Sequence, residues 1–205
     1  MSDTPTSRSE QLALLQELFA SATRDASEAM NRWTNGMVTL TLDEVRELPL
    51  EEVCGELNLS NELMTMIVLT LDGEMGGDMI LSFDEKNGRA LAASLLGREV
   101  CTDPEWNELE QSALNETGNI LGCAYMNALT RLVEVELVPS PPHFIQDYGA
   151  SVLQQALMAQ AMYCDKALVC QTHFHRAGEE MDWSVFFVPN EKMRQTMEET
   201  LQGVS

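Results

Sequence analysis

The order of helical and extended patterns in this chain runs through once and then returns. Residues 10–32 (EQLALLQELFASATRDASEAMNR) place Leu12, Leu15, Phe19, Ala22, Ala26 and Met30 at helical spacing, and Asn35-Gly36 breaks the pattern. Alternating Val38, Leu40 and Leu42 follow as a strand, 48–57 as a short helix, and 63–73 and 78–83 as two strands around Gly76-Gly77. A helix over 84–97 closes the run at Gly97. Beyond residue 100 the same order begins again. A helix is expected over 103–129, with Thr102-x-x-Glu105 as its capping signal and Pro104 in its first turn. A strand over 131–139 is ended by Pro139, Pro141 and Pro142, and the apolar, glutamine-rich segment 147–161 reads as a helix. Strands at 166–176 and 183–189 flank a turn around Gly178, and Asn190 caps a last helix over 190–202.

Each half therefore reads helix–strand–helix–strand–strand–helix. The expected fold is α/β (α+β): two pseudo-symmetric halves, 10–99 and 100–203, forming one continuous sheet with the long helices 10–32 and 103–129 on one face. Residues 1–205 then make a single domain with an internal duplication. A chain that already contains its own two-fold partner is expected to be a monomer.

The helix 103–129 carries the chemistry. At about 100° per residue, Ser112, Glu116 and Asn119 share an arc of roughly 60°. Leu109, Ala113, Ile120, Leu121, Ala124 and Ala128 fill the neighbouring arc, which is expected to face the core, and Trp106 is expected to anchor the helix there. An acid, a carboxamide and a hydroxyl thus lie along one rim, readable as a site or as the solvated edge of an amphipathic helix. Superposing LLQELFASA (14–22) on ALNETGNIL (113–121) matches the three to Ala13, Glu17 and Ala20. The second half has the full polar set, and the first keeps only the acid.

Composition removes several classes of function. With 12 basic against 33 acidic residues the net charge is −21, which repels nucleic acid and anionic membranes. No stretch approaches 18 apolar residues, so no membrane span is expected, and the N-terminus lacks the apolar core of a signal peptide. The five cysteines, at 54, 101, 123, 164 and 170, form no CxxC pair. Cys54, Cys123 and Cys170 lie in apolar surroundings and read as buried free thiols of a cytoplasmic protein. His173 and His175 point the same way along their strand but have no evident supporting ligands, so they read as surface imidazoles and no metal is assigned.

Ser112-xxx-Glu116-xx-Asn119, followed by Pro141 after 21 intervening residues, closely resembles the signature of the CheC-like phosphatases, the group of CheC, CheX and FliY. The run Gly118-Asn119-Ile120-Leu121-Gly122 is similar to the family's GNI-x-G, and the length and duplicated layout are nearest to CheC. The resemblance implies a bacterial chemotaxis phosphatase that hydrolyses the aspartyl phosphate of a phosphorylated CheY-type response regulator. Glu116 would correspond to the acid that pairs with the regulator's lysine, and Asn119 to the amide that holds the attacking water in line. Ser112 would be a flanking polar contact and Pro141 the structural proline behind the site. No cofactor of its own is implied, since magnesium comes with the regulator's receiver domain. A CheD-like protein is a further partner that the family suggests. Two-site members carry Glu-xx-Asn in the first half as well, whereas this chain has Glu17 with Ala20, and Leu42 or Asp43 where the proline should stand. One working site is expected. The competing expectation is a regulator-binding or scaffold module of the same fold without turnover, akin to FliM.

Overall fold

A computed structural model describes residues 8–56, 63–71, 74–161, 166–176 and 179–203. In the first half these form α1 (Arg8–Trp33), β1 (Val38–Pro49), α2 (Val53–Glu56), β2 (Leu63–Leu71), β3 (Gly77–Phe83) and α3 (Glu85–Leu96). The second half follows with α4 (Glu108–Val133), β4 (His143–Tyr148), α5 (Gly149–Ala161), β5 (Lys166–Arg176), β6 (Glu179–Pro189) and α6 (Glu191–Gly203). The cysteine at 164 and the turn expected around Gly178 lie outside the described residues.

The strands make one antiparallel sheet in the order β1-β5-β6-β3-β2-β4. Exchanging each first-half strand for its second-half counterpart reverses this order and leaves it otherwise unchanged. The exchange axis runs through the β3–β6 pair, where Ile80 faces Phe186. The fold is α+β, with helices on both faces of the sheet.

On one face, α1 lays Leu15, Phe19, Ala22, Ala26 and Met30 into the main core, the stripe its spacing predicts. Helices α3, α4 and α6 join it there through Leu91, Leu121 and Met193. Tyr125 ties three elements together. Its buried hydroxyl lies 2.8 Å from Thr23 Oγ1 of α1 and 2.8 Å from Thr172 Oγ1 of β5. Burial pushes the Tyr125 phenol up, and the nearby Cys170 adds to the shift. The opposite face is covered by α2 and α5, with Val53, Val152, Leu153 and Leu157 against Met66, Ile80, Val169 and Phe186. No described helix is long and apolar enough to cross a membrane.

Two expectations fail around α4. The helix begins at Glu108 and not at residue 103, because the capping box is Asn107 with Glu110 and not Thr102 with Glu105. At its other end the strand expected over 131–139 does not form. α4 continues through Val133, whose side chain extends the buried stripe, and Glu134 (φ 54°) closes it with its N–H on Thr130 O at 2.9 Å. The next residues run to the sheet edge, where Pro139 makes a single bridge to Leu71. Prolines at 139, 141 and 142 cannot donate to a ladder, so the strand of this half forms only after them, as β4.

Candidate functional site

The N-terminal end of α4 is held by a buried ion pair. Arg89 of α3 donates to Glu110 Oε2 at 3.1 Å, and the same oxygen accepts from Asn107 N at 3.1 Å and Asn107 Nδ2 at 2.9 Å. The guanidinium lies 4.3 Å from the ring centre of Trp106, which in turn packs edge-on against Phe144 of β4 at 5.3 Å. Trp106 is thus the anchor it was read to be.

Gly118 and Gly122 set the depth of the helix. Both face β2, and a Cβ on Gly118 would collide with Ile67 Cγ2, while one on Gly122 would stand 2.6 Å from Leu69 Cδ2. The helix therefore rests backbone-first on the sheet, and its buried stripe is turned from the expected one. Leu109 is 50% exposed, whereas Glu110, Leu114, Thr117, Gly118, Leu121 and Tyr125 are buried. The glycines count for little in a tally of apolar side chains, yet they define the face that meets the sheet.

This seating carries Ser112, Glu116 and Asn119 to the rim. Ser112 and Glu116 are exposed and Asn119 is half-buried. All three, with Glu108, Gln111 and Asn115, form one wall of an open groove of ≈ 640 Å³. The other wall is the chain from Pro139 to Pro142. Its position on the sheet is fixed by Ser140, whose N–H donates to Thr70 O at 2.8 Å and whose Oγ accepts from Thr70 N at 3.0 Å. The four residues that resemble the motif are brought together across this groove, with Pro141 exposed on its far side and not packed behind it. Glu116 makes no hydrogen bond or ion pair with any described residue, so its carboxylate is available to a partner. Cys123, one turn on, points its thiol towards Asn119 Oδ1 at 3.9 Å and is exposed, contrary to the expectation of a buried thiol. Behind the row, Trp33 Nε1 donates to Thr117 Oγ1 at 3.4 Å and fastens the end of α1 to α4.

Glu17 has no comparable setting. Beside it, Gln16 Oε1 accepts from Val45 N at 2.7 Å and Gln16 Nε2 donates to Asp43 O at 3.4 Å. β1 lies along this part of α1 and takes up the side chain next to Glu17. The residues that motif reading passed over are Glu108, Gln111, Asn115, Pro139, Ser140 and Pro142. The signal for Asn115 was present, since it matches Gln16 in the superposed halves. His173 and His175 lie apart from the groove, bonded to Asp43 Oδ2 at 3.3 Å and Thr41 Oγ1 at 2.7 Å. No cluster of three or more candidate metal ligands occurs among the described residues.

No family model matches the chain. Its sequence is similar to the CheY-P phosphatase CheC of Bacillus subtilis, 23% identical over 187 residues, which is 89% of this chain and 90% of that protein. Its fold is similar to Thermotoga maritima FliY (TM-score 0.73, 17% identity, all of both chains). It is also similar to the FliM middle domain of Helicobacter pylori (0.68, 13%, 95% of this chain and 99% of that one). A third likeness is to the chain matched in the CheX–CheY–BeF3–Mg complex of Borrelia burgdorferi (0.55, 18%, 85% and 97%). In sequence the chain is thus similar to CheC over nine-tenths of its length, and its fold is the one that FliY, FliM and CheX share.

Proposed function

We propose that the protein hydrolyses the aspartyl phosphate of a CheY-type receiver domain in bacterial chemotaxis. The observation that carries this reading is that Ser112, Glu116 and Asn119, on one row of α4, meet Pro141 of a separate segment across one open groove. A wide groove without a phosphate-cradling loop suits a substrate that arrives already seated in another protein's active site. Glu116, exposed and unpaired, is the docking acid for a lysine of the receiver. Asn119, half-buried on the same row, holds a water in line with the phosphorus. The water oxygen forms the new P–O bond, the acyl P–O bond breaks, and the receiver regains its carboxylate as inorganic phosphate leaves. A neutral carboxamide can orient that water without adding negative charge beside the phosphoryl oxygens, which is worth ~10²–10³ in rate for one well-placed group. The magnesium such a reaction uses is the receiver's own. The likeness to a CheX–CheY complex with magnesium supports this choice of partner.

The test is a phosphate-release time course with a magnesium-bound, phosphorylated receiver, run beside a binding titration. Asn119→Ala should abolish acceleration and leave binding largely intact. Glu116→Ala should weaken both, and Glu17→Ala should change neither. A wild type that binds without speeding release would favour the scaffold reading, to which the fold likeness to FliM and the Ala20 of the first half lend support. We also propose that the halves 10–99 and 100–203 arose by duplication and that the protein works in the cytoplasm as a monomer. Sedimentation should then show one 22.8 kDa species, and a stable dimer would refute that state.

A further inference from the structure

One side chain lining the groove carries a buried polar atom that this chemistry leaves unused. Oδ1 of Asn115 is buried and has no hydrogen-bond partner, although the half-buried residue lines the groove. The wall across the groove has no donor to spare for it. Three of its four residues are prolines without an N–H, and the fourth, Ser140, has its N–H on Thr70 O and its hydroxyl on Pro141 O at 3.2 Å. The first half shows the same helix position satisfied. Gln16 precedes Glu17 as Asn115 precedes Glu116, and there the strand opposite supplies the Val45 N–H at 2.7 Å. One carboxamide is paired to a strand, and the oxygen of its counterpart has no donor.

A buried acceptor without a donor destabilises the chain that holds it, and an apolar side chain of similar size does not. Asn115 also stands four residues before Asn119, so the two amides occupy adjacent turns of one helical row. We propose that Asn115 is a positioning residue of the site: on docking its amide turns into the groove and accepts a backbone N–H from the receiver loop beside the phosphorylated aspartate. The inference rests on the receiver-phosphatase reading. It assigns Asn115 to holding the partner, whereas Asn119 acts on the water. A neutral acceptor matches a backbone donor, and Glu116 remains for the cation.

The experiment compares wild type, Asn115→Leu and Asn115→Gln in three measurements. These are urea unfolding, steady-state phosphate release, and titration against the receiver's beryllofluoride–magnesium complex. Asn115→Leu should unfold at higher urea than wild type. Its KM and its dissociation constant should rise about tenfold, the usual cost of one lost hydrogen bond, with kcat within about twofold. Asn115→Gln, which keeps an acceptor, should retain most of the affinity. A rise in stability with a fall in affinity is a pairing that a purely structural residue does not produce. An Asn115→Leu protein that is less stable, that keeps wild-type KM, or that loses kcat as Asn119→Ala does, would overturn the assignment. If wild type binds the complex without turnover and Asn115→Leu weakens that binding, the catalytic reading falls and the role of Asn115 stands. If wild type neither binds nor turns over, both fall.

Discussion

Replacing Gly118 by alanine should have opposite effects on stability in two backgrounds. In the wild type the added methyl meets Ile67 Cγ2 directly, with Ile67 Cβ at 3.3 Å and Leu69 Cδ1 at 3.6 Å. Ile67 is fully buried and cannot swing away, so the collision should cost ~1–3 kcal/mol. The gain in helix propensity returns about 1 kcal/mol. The net loss is then about 1 kcal/mol, read as a lower urea midpoint at unchanged slope. Ile67→Ala removes the atom in the way and by itself costs about 2–5 kcal/mol through the cavity it leaves. In that background the same methyl enters the cavity. It should gain about 0.8 kcal/mol from burial and keep the propensity term, for roughly 2 kcal/mol of stabilisation. The coupling between the two sites is therefore about 3 kcal/mol, well outside the error of a double-mutant cycle. Phosphate release should fall in Gly118→Ala, because Asn119 is the next residue. If Gly118→Ala shifts the midpoint in the same direction and by the same amount in both backgrounds, α4 is not seated on β2 through this glycine.

Two further outcomes are expected. Arg89→Met should cost about 3 kcal/mol in urea unfolding, since it leaves Glu110 buried without its cation, and adding Glu110→Gln should recover much of the loss. At alkaline pH, burial holds the Cys170 thiol and the Tyr125 phenol above their ordinary values of 9.0 and 10.0. The folded chain then keeps protons that the unfolded chain releases, so the unfolding free energy should fall as pH rises beyond about 9, at up to ~1.4 kcal/mol per pH unit for each group. Cys170→Ala should remove the thiol's share of that slope in pH-dependent urea titrations.

The element order was legible because each half is punctuated by its own breakers, and α1 shows its buried stripe in plain helical spacing. What misled the reading was the stretch after α4. Leu132, Val133, Val135 and Leu137 alternate well enough to suggest a strand, yet Val133 belongs to the helix and Leu137 is buried from an irregular segment. The true strand, HFIQDY, has weak alternation and is recognisable only through its partner β2, a long-range pairing that no local pattern reports. The rim of α4 was legible because Ser112, Glu116 and Asn119 are set by helical spacing alone. The opposite wall was not, since Pro139–Pro142 reach the groove only through Ser140 and Thr70. The orientation of α4 was missed for a simpler reason. It turns on two glycines, and contact made by the absence of a side chain leaves no mark in a hydrophobic pattern.

The proline wall has a consequence for how the sheet opens. At one edge β1 contributes 12 residues and pairs with β5 from Val38 to Pro49, apart from one irregularity between Leu42 and Glu44. At the other edge β4 contributes 6, joined to β2 only between Val68 and Leu63. With so short a ladder, the β4 margin should be the end that separates first in native-state fluctuations. Its amides, and those of β2 facing it, should exchange with deuterium sooner than those of β1 and β5. The groove would then lie on the more yielding side of an otherwise even-handed fold. A docked partner that bridges α4 and residues 139–142 would clamp that margin, and the slowing of exchange in β4 would mark its arrival even where no side chain of β4 is touched.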